Sequence, residues 1–553
     1  MNGSQWTWTI LKSLNIETVF GIPGGAILPL VDAMAMQGDA FTFIVTRHEA
    51  AAVHAADGYA RASGRIGVVL VTSGPGGTNV LTGLSTAMAD SVPLLVLIGQ
   101  VPTTLIGTDA FQEADLFTMT MSVVKHSWRI TDPNRIGPTL DEAVHTATHG
   151  RPGPVVVEFP KDVQLAEVRE FLRWAPPEGN AWPTSIPPLP WARVRSLMRF
   201  SRRPVIYLGG GVTASDTAPA ARGLAERLDA PVVSTLMGLG VMPHQHPLFL
   251  GMVGMHGTWT ANHAIQDADL ILALGVRFDD RVTGRVAEFA PNAKIVHAEI
   301  DPAEISKIVH CDVALNGDLR VILPKLMRIA PKAKHRAWRR QLDAWRSEHP
   351  LRYRTSLTSL TAPQALEIIG QHLAPDHIVV TEVGQHQMWA ALYIPRSMPR
   401  RFISSGGLGT MGYGFPAAMG AQVGCPQQRV CLIAGDGSIQ MNLQEFATLA
   451  QYRLPIWTII MNNAGHGMVR QWQDLFHGER RHGVLLENPD FVKLAAAFQI
   501  PGFSVGSAPA LAEALETMST LEGPVLLEVF VGQDDHVFPM VPSGQPLSMV
   551  LEE

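Results

Sequence analysis

Two oxygen-bearing side chains are placed for metal and phosphate chemistry. Asp436 lies between Gly435 and Gly437, and Asn463 is the second of two adjacent asparagines. Each follows an apolar run that reads as a β-strand, residues 429–434 before the aspartate and 454–461 before the asparagines. A carboxylate and an amide oxygen at the carboxyl ends of two strands can point at one hard cation. Mg2+ takes near-octahedral oxygen ligation and readily shares its shell with phosphate. Residues 440–452 are enough for one helix, which would return the chain to the same sheet edge, where open α/β sheets bind ligands. Glu49 is a third candidate, at a strand-to-helix junction in Thr46-Arg-His-Glu-Ala-Ala-Ala-Val-His54. A carboxyl taken out of water there needs a hydrogen-bonding partner. A glutamate at a helix start is equally favoured by the helix dipole alone, so its placement leaves both readings open.

A competing motif lies nearby. Gly407-Leu-Gly-Thr-Met-Gly412 fits G-x-G-x-x-G after a short strand and before an apolar helix, with Asp436 a helix and a strand later. That is the dinucleotide fingerprint, acid included, and a lone match to it is weak. Asp436, flanked by glycines and followed by a second strand ending in asparagines, has more company than the fingerprint requires.

The elements that must hold these residues fall into three α/β blocks. In the first, to about residue 164, short apolar runs (66–71, 94–98, 154–158) alternate with Ala-rich helical segments. The second holds runs 203–208, 270–274 and 294–300, and the third 377–381, 430–433, 455–460 and 525–529. Continuous apolar runs separated by helices are the mark of parallel strands buried on both faces. A Pro- and Trp-rich passage, 175–191, reads as the first linker, and a charged helical stretch, 332–353, as the second. A chain of 553 residues exceeds one core. With 46% hydrophobic and 17% charged residues its composition is that of a globular protein. A net charge of −6 without a basic run argues against nucleic acid or anionic membrane partners. Three cysteines without C-x-x-C spacing imply a reducing compartment. No apolar stretch reaches the ~20 residues a bilayer needs, and the N-terminus resembles no targeting peptide, so a cytoplasmic enzyme is expected.

Other segments add to the metal and diphosphate pattern. In order they are Val19-Phe-Gly-Ile-Pro-Gly-Gly-Ala26, Arg47-His-Glu49, Thr72-Ser-Gly-Pro-Gly-Gly-Thr-Asn79 and Gly107-Thr-Asp-Ala-Phe-Gln-Glu113. Gly150-Arg-Pro-Gly-Pro154, Pro160-Lys-Asp162, Gly254-Met-His-Gly257 and Val276-Arg-Phe-Asp-Asp-Arg-Val-Thr-Gly284 follow. Gly384-Gln-His-Gln-Met-Trp389, Gly467-Met-Val-Arg-Gln-Trp-Gln473 and Pro542-Ser-Gly544 complete the set. With these the chain resembles, over essentially its full length, the catalytic subunits of the acetohydroxyacid (acetolactate) synthase family of thiamine diphosphate-dependent enzymes.

The resemblance implies an α/β fold of three doubly wound parallel-sheet domains. These are a pyrimidine-binding domain over residues 1–165, a middle FAD-binding domain over 190–328 and a diphosphate- and Mg2+-binding domain over 358–535, with a C-terminal tail over 536–553. It implies a homodimer or homotetramer, since this family binds its cofactor between two chains, and a possible small regulatory subunit. The implied reaction decarboxylates pyruvate on thiamine diphosphate and joins the two-carbon unit to a second pyruvate or to 2-ketobutyrate, in branched-chain amino acid biosynthesis.

The matched positions carry implied roles. Glu49 would hydrogen-bond the cofactor's aminopyrimidine, and Gly24 and Gly25 let backbone approach it. Phe111 and Gln112 match an apolar wall and an amide at the reacting carbonyl, with Lys161 among the catalytic positions. Val383, Gly384, Gln385 and His386 match diphosphate contacts; Gly409 and Met411 match the segment that wedges the cofactor into its bent form. Gly435, Asp436, Gly437, Ser438, Asn463, Gly465, His466, Gly467 and Met468 complete the cofactor set, with Mg2+ on Asp436, Asn463 and the Gly465 carbonyl. Arg281 matches the arginine that grips the acceptor's carboxylate, and Trp472 the side chain that favours 2-ketobutyrate through one extra methyl, a contact of ~1–3 kcal/mol. For FAD the matched positions are Gly209, Gly210, Gly211, Thr235, Leu236, Met255, His256, Asp280, Asp301 and Asp318. The Mg2+ loop around Asn463 differs from the family pattern in having Asn462, Ala464 and Gly465, which makes it less acidic.

Overall fold

Each block's apolar runs do become one parallel sheet. The structure, a computed structural model, describes residues 1–176, 190–355 and 359–552; most of the first linker and residue 358 lie outside them. The first sheet contains β1 (Thr18–Gly21), β2 (Thr42–Val45), β3 (Gly67–Val71), β4 (Leu94–Gln100), β5 (His126–Arg129) and β6 (Pro154–Pro160). The middle sheet contains β7 (Pro204–Leu208), β8 (Val232–Ser234), β9 (Phe249–Met252), β10 (Leu270–Leu274), β11 (Lys294–Glu299) and β12 (Val313–Asn316). The third contains β13 (Ile378–Thr381), β14 (Phe402–Ile403), β15 (Val430–Gly435), β16 (Ile456–Asn462), β17 (Gly502–Val505) and β18 (Val525–Phe530). All three are six-stranded, and helices cover both faces of each, so β3, β4, β15 and β16 are buried along their whole length.

Strand order fixes where ligands can sit. The first and third sheets share one order, β2-β1-β3-β4-β6-β5 and β14-β13-β15-β16-β18-β17, while the middle sheet runs β12-β11-β10-β7-β8-β9. Connections reverse direction between β1 and β3, between β7 and β10, and between β13 and β15. A crevice opens at the carboxyl ends of such strand pairs.

The first and third sheets are joined directly. Helix Glu49–Ser63 lies against helix Gly414–Gly424 at backbone distance: a Cβ added at Gly58 would sit 2.0 Å from the Ala417 carbonyl oxygen, and one at Gly420 1.7 Å from that of Ala55. The Tyr452 hydroxyl reaches the free edge of β2, accepting from Val45 N–H (2.9 Å) and donating to the Phe43 carbonyl (3.1 Å).

One expectation is corrected. Residues 440–452 do not form one helix. Asp436 itself opens the short helix Asp436–Ile439, and a 3-10 turn, Leu443–Glu445, separates it from Phe446–Gln451. Asn442 breaks the run by donating its amide to the Gly412 carbonyl (2.6 Å). The C-terminal tail, described to residue 552, packs on the rest of the chain. Val537, Met540, Val541 and Leu547 are buried, and Val541 N–H reaches the Met255 carbonyl at 2.7 Å, laying the segment over the middle block. Without a regular apolar period the segment gave no sign of this. The second linker contains the helix Arg336–Glu348, held by buried Trp338 and Leu342. Among the described residues no helix is long and apolar enough to cross a membrane.

Candidate active site

Asp436 and Asn463 meet at the carboxyl ends of β15 and β16, as their spacing predicts. Asp436 Oδ2 accepts from Gly465 N–H (2.9 Å) and Asn488 Nδ2 (2.7 Å). Asn463 Oδ1 stands 3.3 Å from Asp436 Oδ1 and 3.0 Å from the Gly465 carbonyl oxygen, three acceptors facing one another with no hydrogen between them. Turning the amide over would put Nδ2 on those oxygens, but its neighbours oppose that turn. The Val537 peptide fixes Gln471, donating to its Oε1 (2.8 Å) and accepting from its Nε2 (3.1 Å). Gln385 Nε2 therefore donates to Gln471 Oε1 (3.0 Å) and to the Asp535 carbonyl (2.9 Å), leaving Gln385 Oε1 to take a proton from Asn463 Nδ2 (3.2 Å). The relay ends with Asn463 Oδ1 aimed at the carboxylate.

Three oxygens at that spacing fit one Mg2+. With Mg–O bonds near 2.1 Å, adjacent octahedral corners lie about 3 Å apart. Burial raises the Asp436 carboxyl above its usual range, with hydrogen bonds from Asn488 and Gly465 opposing the shift; a divalent cation would offset that cost. Among the described residues no cluster of three His, Cys, Asp or Glu side chains could hold a metal. This set instead draws on one carboxylate, one amide and one main-chain oxygen.

The neighbouring residues suit a diphosphate. His386 is buried with Nε2 unpartnered, and burial pushes its imidazole down to about 3. It occupies the start of helix Gln385–Tyr393, whose first N–H groups point at the crevice. Gly467 is required by close approach, since a Cβ there would lie 1.9 Å from Gln385 Oε1. Val383, Gly384, Gly437, Ser438, His466 and Met468 lie in the same strand-end turns and helix starts.

The G-x-G-x-x-G segment is held by protein rather than left open to a phosphate. Asp90 accepts from Gly406 N–H (3.0 Å) and Gly407 N–H (2.7 Å), and Glu382 accepts from Gly412 N–H (2.8 Å). Glu382 is fully buried and also takes Ser438 Oγ–H (2.7 Å) and Phe415 N–H (2.8 Å), so one carboxylate joins the Met411 segment to the Asp436 turn. Sequence reasoning missed Glu382, whose only signal was an acid closing an apolar strand. Gln471 and Asn488 were missed too, their partners being remote in sequence.

Block one assembles a second half-site. Asn79 Nδ2 donates to Glu49 Oε2 (2.9 Å), and Glu49 is half-buried, capped at its helix start by His48. A Cβ on Gly76 would lie 3.8 Å from Glu49 Oε1, one on Gly74 2.8 Å from the Gln112 carbonyl, and one on Gly24 2.5 Å from Thr72. The Thr72–Asn79 turn thus gathers Glu49, Gln112 and the Gly24-Gly25 turn. Phe111 is 88% exposed on this loop. Lys161 opens the short helix after β6. Trp472 is half-buried on helix Gly467–Phe476, edge-on to Phe476, rather than in a core. The Arg281 side chain is 60% exposed, 3.6 Å from Asp280.

In the middle sheet the β7/β10 crevice opens into a cavity of about 320 Å3 closed by the other two blocks. Gly209, Gly210, Gly211, Thr235 and Asp318 line it, together with Met237, Arg277, Glu299, Arg151, Arg61, Asp90 and Arg400. Burial lifts the Glu299 carboxyl to about 7. Leu236, Met255, His256, Asp280 and Asp301 lie outside that lining. Asp279 faces the cavity in place of Asp280, because it caps helix Asp280–Thr283, its Oδ1 accepting from Arg281 N–H at 3.0 Å, while Asp280 turns outward.

Comparison with known proteins decides between the readings. The thiamine pyrophosphate enzyme N-terminal TPP binding domain matches residues 1–119, the central domain 191–326 and the C-terminal TPP binding domain 382–529. The acetolactate synthase isozyme 2 large subunit of Escherichia coli is 43% identical over 554 residues, covering 100% of both chains. The acetolactate synthase large subunit of Parasynechococcus marenigrum is 44% identical, over 99% of this chain and 90% of its own. The probable acetolactate synthase large subunit of Methanocaldococcus jannaschii is 42% identical, over 100% and 95%. The chain belongs to the acetolactate synthase large-subunit family. Thiamine diphosphate is accordingly its cofactor, and the family's three α/β domains correspond to the three sheets.

Proposed function

We infer that this chain catalyses acetolactate formation, joining the two-carbon unit of pyruvate to a second pyruvate or to 2-ketobutyrate as the first common step of branched-chain amino acid biosynthesis. The observation that carries the reading is the convergence of Asp436, Asn463 and Gly465 oxygens at the carboxyl ends of β15 and β16, beside the third sheet's switch point, in a chain of this family. Bound thiamine diphosphate supplies the nucleophilic carbon and electron sink for decarboxylating a 2-keto acid.

The chain's own residues supply the rest. Asp436, Asn463 and the Gly465 carbonyl would hold Mg2+, and His386 with the start of helix Gln385–Tyr393 would bind the diphosphate. Glu49, held by Asn79 at Oε2, would present Oε1 to the pyrimidine ring. The Met411 segment, held by Glu382 and Asp90, would border the cofactor. Gln112 and Phe111 border the reacting carbonyl. Arg281 takes the acceptor's carboxylate and Trp472 its alkyl group; both are exposed enough to meet substrate.

FAD suits the middle cavity, whose glycine turn, switch-point position and acid at the end of β11 match a dinucleotide site. Exposed Phe111, Leu28, Leu408 and Met441 near the two half-sites support a homo-oligomer in which a second copy completes each site. A small regulatory subunit is proposed from the relatives' description as large subunits, and a cytoplasmic setting from three free cysteines. The test is product analysis of the pure protein given pyruvate, thiamine diphosphate, Mg2+ and FAD. Acetolactate is expected; acetaldehyde or acetate as the main product would overturn the acceptor assignment.

A further inference from the structure

A buried ion cluster connects the middle cavity to the Met411 segment. Asp57 Oδ1 accepts from Arg61 Nε and from the Tyr413 hydroxyl, each at 2.6 Å, and Arg61 Nη2 donates to Asp90 Oδ2 at 2.8 Å. The Asp57 and Asp90 side chains are fully buried and that of Arg61 is 10% exposed. Such a cluster survives burial only when every member is paired. Its outward bonds all go to one strip of chain. Arg61 Nη1 donates to the Ser404 carbonyl (2.8 Å), Asp90 accepts from Gly406 and Gly407 N–H, and the hydroxyls of Thr86 and Thr410 meet at 2.7 Å.

That strip has the cavity on one side and Met411 at its end. Arg61, Asp90, Phe402 and Ile403 line the cavity, as does Met237, whose Sδ would be 2.5 Å from a Cβ on Gly406. Beyond Thr410, Glu382 fixes Gly412 and ties it to the Asp436 turn. A ligand that orders the cavity wall therefore orders the same backbone that a diphosphate ligand needs ordered.

We propose that Asp90 is a positioning residue through which a dinucleotide in the middle cavity and thiamine diphosphate in the third block bind cooperatively. This rests on the cofactor reading above. Two ligands that stabilise one arrangement of a shared segment help each other by equal factors, since coupling is reciprocal.

The experiment is calorimetric titration of thiamine diphosphate with Mg2+ into the full-length protein, with and without saturating FAD, and the converse titration. In the wild type each cofactor should tighten the other at least about fivefold, by the same factor in both directions. In Asp90→Asn both should still bind, with the factor reduced to about one. Should that variant fail to fold, Thr86→Ala removes the Thr410 contact, along with a local bond to the Thr82 carbonyl in its own helix, and should reduce the factor without abolishing either binding. Independent binding in the wild type, or an undiminished factor in the variant that folds, overturns the proposal while leaving both cofactor assignments standing. Failure of either cofactor to bind the wild type overturns those assignments and the proposal together.

Discussion

At the scale of single residues, Glu49 and His54 face opposite demands five positions apart on one helix. Glu49 keeps its carboxyl end half in solvent with one amide on it. Glu49→Gln leaves that contact and the helix start intact, so turnover should fall by orders of magnitude without loss of thermal stability; steady-state kinetics beside a melting curve checks this. His54 is the opposite case. It is buried beneath Tyr413 with Nδ1 unpartnered, and burial lowers it from 6.5 to about 3. Above pH 6.5 neither the folded nor the unfolded imidazole is charged. Between pH 6.5 and about 3 the unfolded chain binds a proton that the folded one refuses, so stability falls as pH falls, by about 1.4 kcal/mol per pH unit. His54→Gln should remove that increment from the slope of unfolding free energy against pH, measured by denaturant titration from pH 6.5 to 4.5.

At the scale of elements, the contact of helices Glu49–Ser63 and Gly414–Gly424 decides how the outer sheets sit. Gly→Ala inside a helix ordinarily stabilises by up to ~1 kcal/mol. At Gly420 the added methyl would lie 1.7 Å from the Ala55 carbonyl oxygen. Overpacking of a rigid contact outweighs propensity, so Gly420→Ala should destabilise by about 3 kcal/mol and lower thiamine diphosphate affinity, read from a denaturant melt and a binding titration. Elements were the most legible level of the sequence. Unbroken apolar runs such as 94–98 had to be doubly covered strands, and the strand-helix alternation made the sheets parallel. Residues 440–452 misled because apolar content hid Asn442, whose side chain serves Gly412 rather than its own helix. The packing of the C-terminal segment was not legible because its buried residues follow no period.

At the scale of the whole molecule, the proposed catalytic groups are divided between two half-sites. Glu49, Gln112 and Phe111 belong to the first block, the metal oxygens and Met411 to the third. With Phe111 88% exposed, a second copy is the proposed cover. Activity per chain should therefore fall on dilution, in step with dissociation seen by sedimentation, and Phe111→Asp should shift both to higher concentration. The site's principal residues were legible because their chemistry is local: a carboxylate or amide at a strand end announces itself. What organises them was not. Asp90 meets Gly407, and Glu382 meets Ser438, only because the fold brings distant segments together, and Asp279 differs from Asp280 by nothing except which side of a helix cap it occupies.

The relay from Val537 through Gln471 and Gln385 to Asn463 has a consequence in time as well as in space. Amide side chains can present either end, but a peptide group in a packed segment cannot turn over, so the relay's polarity is anchored to the main chain. A cation arriving at Asp436 meets an oxygen already facing it. Loading of the site should then be paced by how fast Mg2+ sheds water, which it does reluctantly, and not by the rotation of a ligand.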